Sequence, residues 1–189
     1  IPNQTIAEGA AFATINLDGF VNDADNTDAQ MTWTYSGNTA LSVSIDINRV
    51  ATITIPSVDW NGSETITFGA TDPGLLFASD AATFTVTAIN DAPVVAGIPD
   101  QIITEGSTFA TIALDSYVSD VDNTDAEMTW TYSGNTQLTV SIDISRVATI
   151  TIPSVDWNGS ETITFRATDP GLLFASDAAT FTVTAVNDA

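Results

Sequence analysis

Apolar and polar residues alternate with period two through most of the chain, and helical spacing is not seen, so half-buried strands are the expected elements. Over the first repeat the alternation predicts seven of them, at 4–7, 11–17, 30–35, 41–47, 50–55, 64–71 and 81–89. Turn residues separate them: Glu8-Gly9, the acidic run 22–28, Ser36-Gly37-Asn38, Asn48-Arg49, Asp59-Trp60-Asn61-Gly62 and Asp72-Pro73-Gly74. The inward set reads Ile15, Leu17, Met31, Trp33, Tyr35, Leu41, Val43, Ile45, Ile53, Ile55, Ile66, Phe68, Phe84 and Val86. The outward set is largely threonine, including Thr52, Thr54, Thr65, Thr67, Thr83, Thr85 and Thr87. Such β-branched residues suit an exposed pleated face.

The pattern then repeats. Ile1-Pro2-Asn3-Gln4 returns as Ile98-Pro99-Asp100-Gln101, and Trp33, Trp60 and Asp72 return as Trp130, Trp157 and Asp169, always at an offset of 97. Residues 1–92 and 98–189 differ at only 16 positions. A period of that length is a whole domain repeated, and seven short strands in about a hundred residues predict an immunoglobulin-like sandwich. The expected fold class is therefore all-β, two tandem seven-stranded Greek-key sandwiches at 1–92 and 98–189, with 93–97 as linker. The first repeat closes with Asn90-Asp91-Ala92-Pro93 and the second stops at Asn187-Asp188-Ala189, so the chain reads as a piece of a longer array.

Composition narrows the chemistry. Hydrophobic residues make up 44% and charged residues 14%, enough apolar matter for two cores. Against 24 Asp and Glu stand 3 Arg and no Lys, a net charge of −21. Nucleic acid, which needs a basic footprint, is excluded as a partner. No apolar run approaches the length of a membrane-spanning helix, so membrane insertion is not expected. Cysteine and histidine are absent, which removes thiolate and imidazole ligands and most general bases. A metal bound here must accept oxygen.

The carboxylates are where oxygen converges. If the strands alternate direction, the loops after the first, third and fifth strands share one end of a repeat with its exit, and the other loops share the opposite end. The exit end of the first repeat carries Glu8, Asp59 and Asn90-Asp91, while the entry end of the second carries Asp120, Asp122, Asp125 and Asp169. Two carboxylates ~4 Å apart repel by roughly 1 kcal/mol in water and about 4 kcal/mol at an effective dielectric near 20. Half a dozen would splay the junction without a cation. Calcium, with 6–8 oxygen ligands in flexible geometry, suits the set better than magnesium. Any one acidic loop is explained as a solvated turn; convergence of four segments favours a site.

Glu8-Gly9 after the first strand, Asp23-Ala24-Asp25, Asp72 before the last strand and the closing Asn-Asp-Ala-Pro resemble the bacterial cadherin-like tandem repeats of large secreted adhesins. The resemblance covers nearly the whole chain. It implies cadherin-like sandwiches and Ca2+ held between repeats by Glu8, Asp59, Asn90, Asp91, Asp120, Asp122 and Asp169. It also implies half-sites at the outer ends from Asp23, Asp25 and Asp72 and from Glu105, Asp156 and Asp188. Asp59 stands where cadherins have an Asp-Arg-Glu segment, and Glu64 is the alternative ligand. The function implied is a non-catalytic, calcium-rigidified extender of a bacterial cell-surface or secreted protein, extracellular, monomeric, with neighbouring repeats of the same chain as its partners.

Other features carry competing expectations. Trp60 and Trp157 either cap a core or stack on sugar rings, which makes a calcium-dependent carbohydrate-binding module the alternative, beside homophilic adhesion to another copy. Leu172-Leu173-Phe174 either packs on the first domain or folds back on its own. Arg49 and Arg146 offset local negative charge, and Arg166, in place of Gly69, is surface variation. An ice-binding role for the threonine faces is disfavoured by the twist of a sandwich. Glycoside hydrolysis by paired carboxylates is disfavoured because turn residues in solvent offer neither a cleft nor a raised pKa.

Overall fold

All seven strands of the first repeat form, at lengths the alternation only partly foretells. They are β1 Gln4–Ala7, β2 Ile15–Asn16, β3 Thr32–Ser36, β4 Ser42–Ile45, β5 Val50–Thr54, β6 Gly62–Thr71 and β7 Phe77–Thr87. One sheet has the order β1-β7-β6-β3 and the other β2-β5-β4. Only β1 and β7 pair in parallel; the remaining neighbours are antiparallel. This is the Greek-key sandwich of immunoglobulin-like and cadherin-like domains. The computed structural model describes residues 1–187, and the chain divides into units Ile1–Ile89 and Asn90–Ala189.

The second unit repeats these strands as β9 Gln101–Thr104, β10 Ile112–Ala113, β12 Thr129–Ser133, β13 Thr139–Ile142, β14 Val147–Thr151, β15 Gly159–Thr168 and β16 Phe174–Thr184. It adds two short strands, β8 Val94–Val95 and β11 Val118–Ser119, which pair with each other antiparallel. Residues 93–97, expected as linker, thus supply a strand to the second unit, and Pro93 and Val95 are buried.

Three differences from the expected pattern have local causes. The strand expected at 11–17 shrinks to β2 because Leu17–Phe20 forms a 3-10 turn, capped by Asn16 Oδ1 accepting from the Asp18 N–H at 3.3 Å. Upstream, the Gln4 amide replaces a strand partner: its Nε2 donates to the Ala13 carbonyl at 3.0 Å, and the Ala13 N–H donates to its Oε1 at 2.8 Å. The last strand starts at Phe77, not 81, since the hairpin register pairs Thr71 with Phe77 through the polar stretch Ser79-Asp80. Tyr35 shares a face with Trp33 but sits at the end of edge strand β3 and is 43% exposed.

The core otherwise follows the period-two reading. Leu17, Leu41, Ile66, Phe68 and Phe84 are fully buried, each contributing roughly 1.5–3 kcal/mol of transfer free energy. Phe12, missed because it is out of phase with the inward Ile15 and Leu17 of the run expected at 11–17, is buried edge-on against Phe84 at 5.3 Å between centroids. Phe109 and Phe181 repeat the pair at 5.2 Å. Outward threonines couple across the hairpin, Thr65 to Thr83 at 3.0 Å and Ser63 to Thr85 at 2.9 Å.

Candidate metal centre

The acidic loop before β12 is built by its first aspartate. Asp120 Oδ1 accepts the N–H groups of Asp122 and Asn123 at 2.8 and 2.9 Å, an Asx turn that curls the backbone around one carboxylate oxygen. Thr124 then closes the loop, its N–H and hydroxyl both donating to Glu127 Oε2, so that Asp125 opens a 3-10 turn. The first unit builds the same loop on Asp23, which accepts from the Asp25 and Asn26 N–H groups at 2.8 Å each and from Asn26 Nδ2 at 3.1 Å. Those donors favour the ionised form and hold the Asp23 carboxyl below its ordinary range.

The loop before the last strand brings a second carboxylate. Asp169 is 3% exposed; its Oδ1 accepts from the Leu173 N–H at 2.9 Å and its Oδ2 from Asn90 Nδ2 at 2.8 Å. This turn holds Leu172 at φ 73, a left-handed conformation that branched side chains rarely adopt. The Asp91 N–H donates to Asp122 Oδ2 at 2.8 Å. Within the second unit, five expected ligands, Asn90, Asp91, Asp120, Asp122 and Asp169, therefore share one hydrogen-bonded neighbourhood. In the first unit Asp23 and Asp72 line one cleft of about 130 Å³; Asp25 is exposed and lends only its backbone N–H.

At the opposite end of the first unit, Glu8 is 9% exposed, and its Oε2 accepts from the Ile89 N–H at 3.1 Å. Glu8 and Asp59 offer carboxylate oxygens within 4.8 Å of one another. In the second unit Glu105 Oε2 accepts from the Val186 N–H at 2.8 Å and Asp156 is exposed. Asp188 lies outside the described residues.

Three acceptor oxygens in these loops are buried with no hydrogen-bond partner among the described residues: Glu8 Oε1, Asp120 Oδ2 and Asn123 Oδ1. Buried polar atoms are normally paired, and an unpaired carboxylate oxygen is costly. Asn123 was not expected as part of the set. Its place directly after the Asp-x-Asp was the available signal, since the Asx turn that orders Asp120 also orders Asn123.

Glu64 is the clear correction. It does not stand in for Asp59: its carboxylate accepts the Thr39, Ala40 and Leu41 N–H groups at 2.9, 2.6 and 3.2 Å and the Thr39 hydroxyl. Burial works against its ionised form, but these donors outweigh burial and lower its pKa to about 2. Glu161 closes the same loop of the second unit. Arg49, at φ 60, does more than offset charge: it forks onto Asp18 at 2.5 and 2.7 Å, as Arg146 does onto Asp115. Trp60 and Trp157 pack on their cores, their rings against the Cα of Gly62 and Gly159.

The two sandwiches define the class, that of immunoglobulin-like all-β domains. A family model described as bacterial Ig domain matches residues 90–184, half of the chain, and the chain belongs to that family. Among solved structures it is similar to protocadherin gamma B2 extracellular cadherin domains 1–5, with 18% identity, a TM-score of 0.60, and coverage of 98% of this chain and 38% of that one. It is also similar to the protocadherin gamma B7 domain 3–6 cis-dimer, with 21% identity, a TM-score of 0.56, and coverage of 99% and 46%. The chain thus spans less than half the length of either, and the likeness is one of fold. Among curated proteins no sequence matches. No described helix is long and apolar enough to cross a membrane.

Proposed function

We propose that the chain is a non-catalytic extender of a bacterial cell-surface or secreted adhesin whose successive repeats are joined by calcium. The buried, partnerless oxygens of Glu8, Asp120 and Asn123 carry this reading. They are acceptors without donors, the condition a hard cation relieves. Asp91 follows two residues after Ile89, whose N–H is held by Glu8, so the covalent chain keeps Asp91 within a short reach of the Glu8 carboxylate. Glu8, Asp59, Asn90, Asp91, Asp120, Asp122 and Asp169 would hold the ions, with Asn123 added. Asp23, Asp25 and Asp72, and likewise Glu105, Asp156 and Asp188, would be completed by neighbouring repeats. Calcium supplies charge neutralisation and a cross-link, and no reaction.

Scattering and melting in calcium and in chelator test the proposal. At free calcium a hundred times its Kd, chelation removes about 2.7 kcal/mol, a fall in Tm of roughly 10 °C for a domain of this size. Chelation should also broaden the distribution of maximum dimensions. Identical curves with and without calcium would remove the mechanism.

A further inference from the structure

The two units hold matching residues around Ile1 and Ile98 but not the same neighbours. In the second unit Asp177 Oδ2 accepts from the Ile98 N–H at 2.8 Å, and the residues before Ile98 run back beside β11. Val95 pairs with Val118 and Val94 with Ser119, and the Ala96 N–H donates to the Tyr117 carbonyl at 3.1 Å. Val95, 8% exposed, belongs to the core. In the first unit Asp80 likewise accepts from the Ile1 nitrogen. Beside Ile1, however, lies an open cleft of about 90 Å³, lined among others by Phe20, Val21, Trp33, Ala70 and Ala78.

The repeat itself shows what this cleft accommodates. The counterparts of those lining residues are Tyr117, Val118, Trp130, Ala167 and Ala175, and all five pack in the core cluster that contains Val95. Val118 and Trp130 are each 9% exposed, whereas Val21 and Trp33 are only half-buried, Phe20 is 47% exposed, and Val21 and Asn22 lie in no strand. Asp80 is at one end of the cleft and Asp23 lines the adjoining one, so an acidic occupant is disfavoured.

We propose that this cleft of the first unit is a docking site for a two-residue β-strand of Pro-Val-Val-Ala-Gly type. The strand lies antiparallel to Val21-Asn22 and seats one β-branched aliphatic side chain beside Trp33. Because Ala96 and Tyr117 share a bond, the alternation of an antiparallel ladder puts the next bonded pair at Val94 and Ser119. The Asn22 N–H is the corresponding reporter.

The test extends chain 1–189 at its N-terminus with Asn-Asp-Ala-Pro-Val-Val-Ala-Gly, and in a control with Asp at both Val positions. Hydrogen exchange at the Asn22 amide and acrylamide quenching of Trp33 are read, the latter with Trp130 replaced by Phe. The Val-Val extension should slow Asn22 exchange at least tenfold and protect Trp33, while the control leaves both as in the unextended chain. Unchanged exchange, or equal protection by the Asp-Asp control, overturns the proposal. So does protection of Asn22 in the unextended chain that rises with protein concentration, because the occupant is then a second copy.

Discussion

Asp23 and Asp120 stand in loops of nearly the same sequence, and each uses one carboxylate oxygen to fold its own turn. Their remaining oxygens differ. Asp120 Oδ2 is buried without a partner, and so is Asn123 Oδ1, whereas Asn26 turns its amide onto Asp23. The cause lies outside the loops. Residues 90–95 belong to the second unit, where Asn90 reaches Asp169, Asp91 reaches Asp122, and Pro93 and Val95 are buried. A repeat therefore encodes the fold of its acidic loop, while the segment preceding it decides whether that loop is a solvated turn or a set of converging oxygens.

The largest expected effect breaks this contrast directly. Asp120→Asn keeps the shape and removes the charge, and should weaken calcium binding by about a hundredfold, about 2.7 kcal/mol. Asp23→Asn, its counterpart, should change calcium binding less than about twofold, since Asn26 already turns its amide onto the Asp23 carboxylate and, unlike Asp120, Asp23 buries no oxygen without a partner. Equal effects of the two changes would mean that the loop alone binds the ion and that the segment is incidental.

The second expected effect tests sameness. Glu64 and Glu161 each close a loop through three backbone N–H groups and a threonine hydroxyl, so Glu64→Ala and Glu161→Ala should each cost about 2 kcal/mol in urea unfolding. The pH dependence has a definite sign. The folded pKa of Glu64 is about 2 against an ordinary 4.5. Its contribution is complete above the unfolded value and is lost as pH falls from about 4.5 through about 2. Glu64→Gln should flatten stability across that acid window, and a slope unchanged by the substitution would assign the acid loss elsewhere.

What could be read from sequence follows from the range of each signal. Period-two alternation is local, and it placed the sandwich, the repeat and most of the core, from Leu17 to Val86. It failed where a side chain substitutes for a strand partner, as Gln4 does at Ala13, and at Phe12, whose burial depends on a ring from another strand. Chain order also put Asp120, Asp122 and Asp169 at the entry end of the second repeat, but it counted Asn90 and Asp91 with the exit of the first, whereas they belong to the second unit, bonded to Asp169 and Asp122. It did not reveal that Glu64 was already engaged, because three of its four donors, the N–H groups of Thr39, Ala40 and Leu41, come from the backbone and have no residue signature.

The smallest effect concerns Gly69 and Arg166, which sequence reading left as surface variation. A Cβ at Gly69 would lie 2.4 Å from the Phe77 ring, so in the first unit that ring covers bare backbone. In the second unit the Arg166 guanidinium lies over the Phe174 ring, 3.4 Å from its centroid. Glycine within a strand forfeits side-chain packing and costs roughly 0.5–1 kcal/mol, and an exposed cation–π contact contributes about as much. Arg166→Gly should therefore destabilise by about 1 kcal/mol, less if the Phe174 ring settles onto the vacated backbone as Phe77 does. Gly69→Arg should gain a similar amount, because β6 and β7 already have the register that accommodates Arg166; the Phe77 ring has to swing outward and the Thr34 hydroxyl has to give by a few tenths of an ångström. Chemical denaturation of the two exchanges measures both. If Gly69→Arg destabilises instead, the Phe77 ring is held in place by more than its contact with glycine, and the two hairpins have diverged beyond the one substitution.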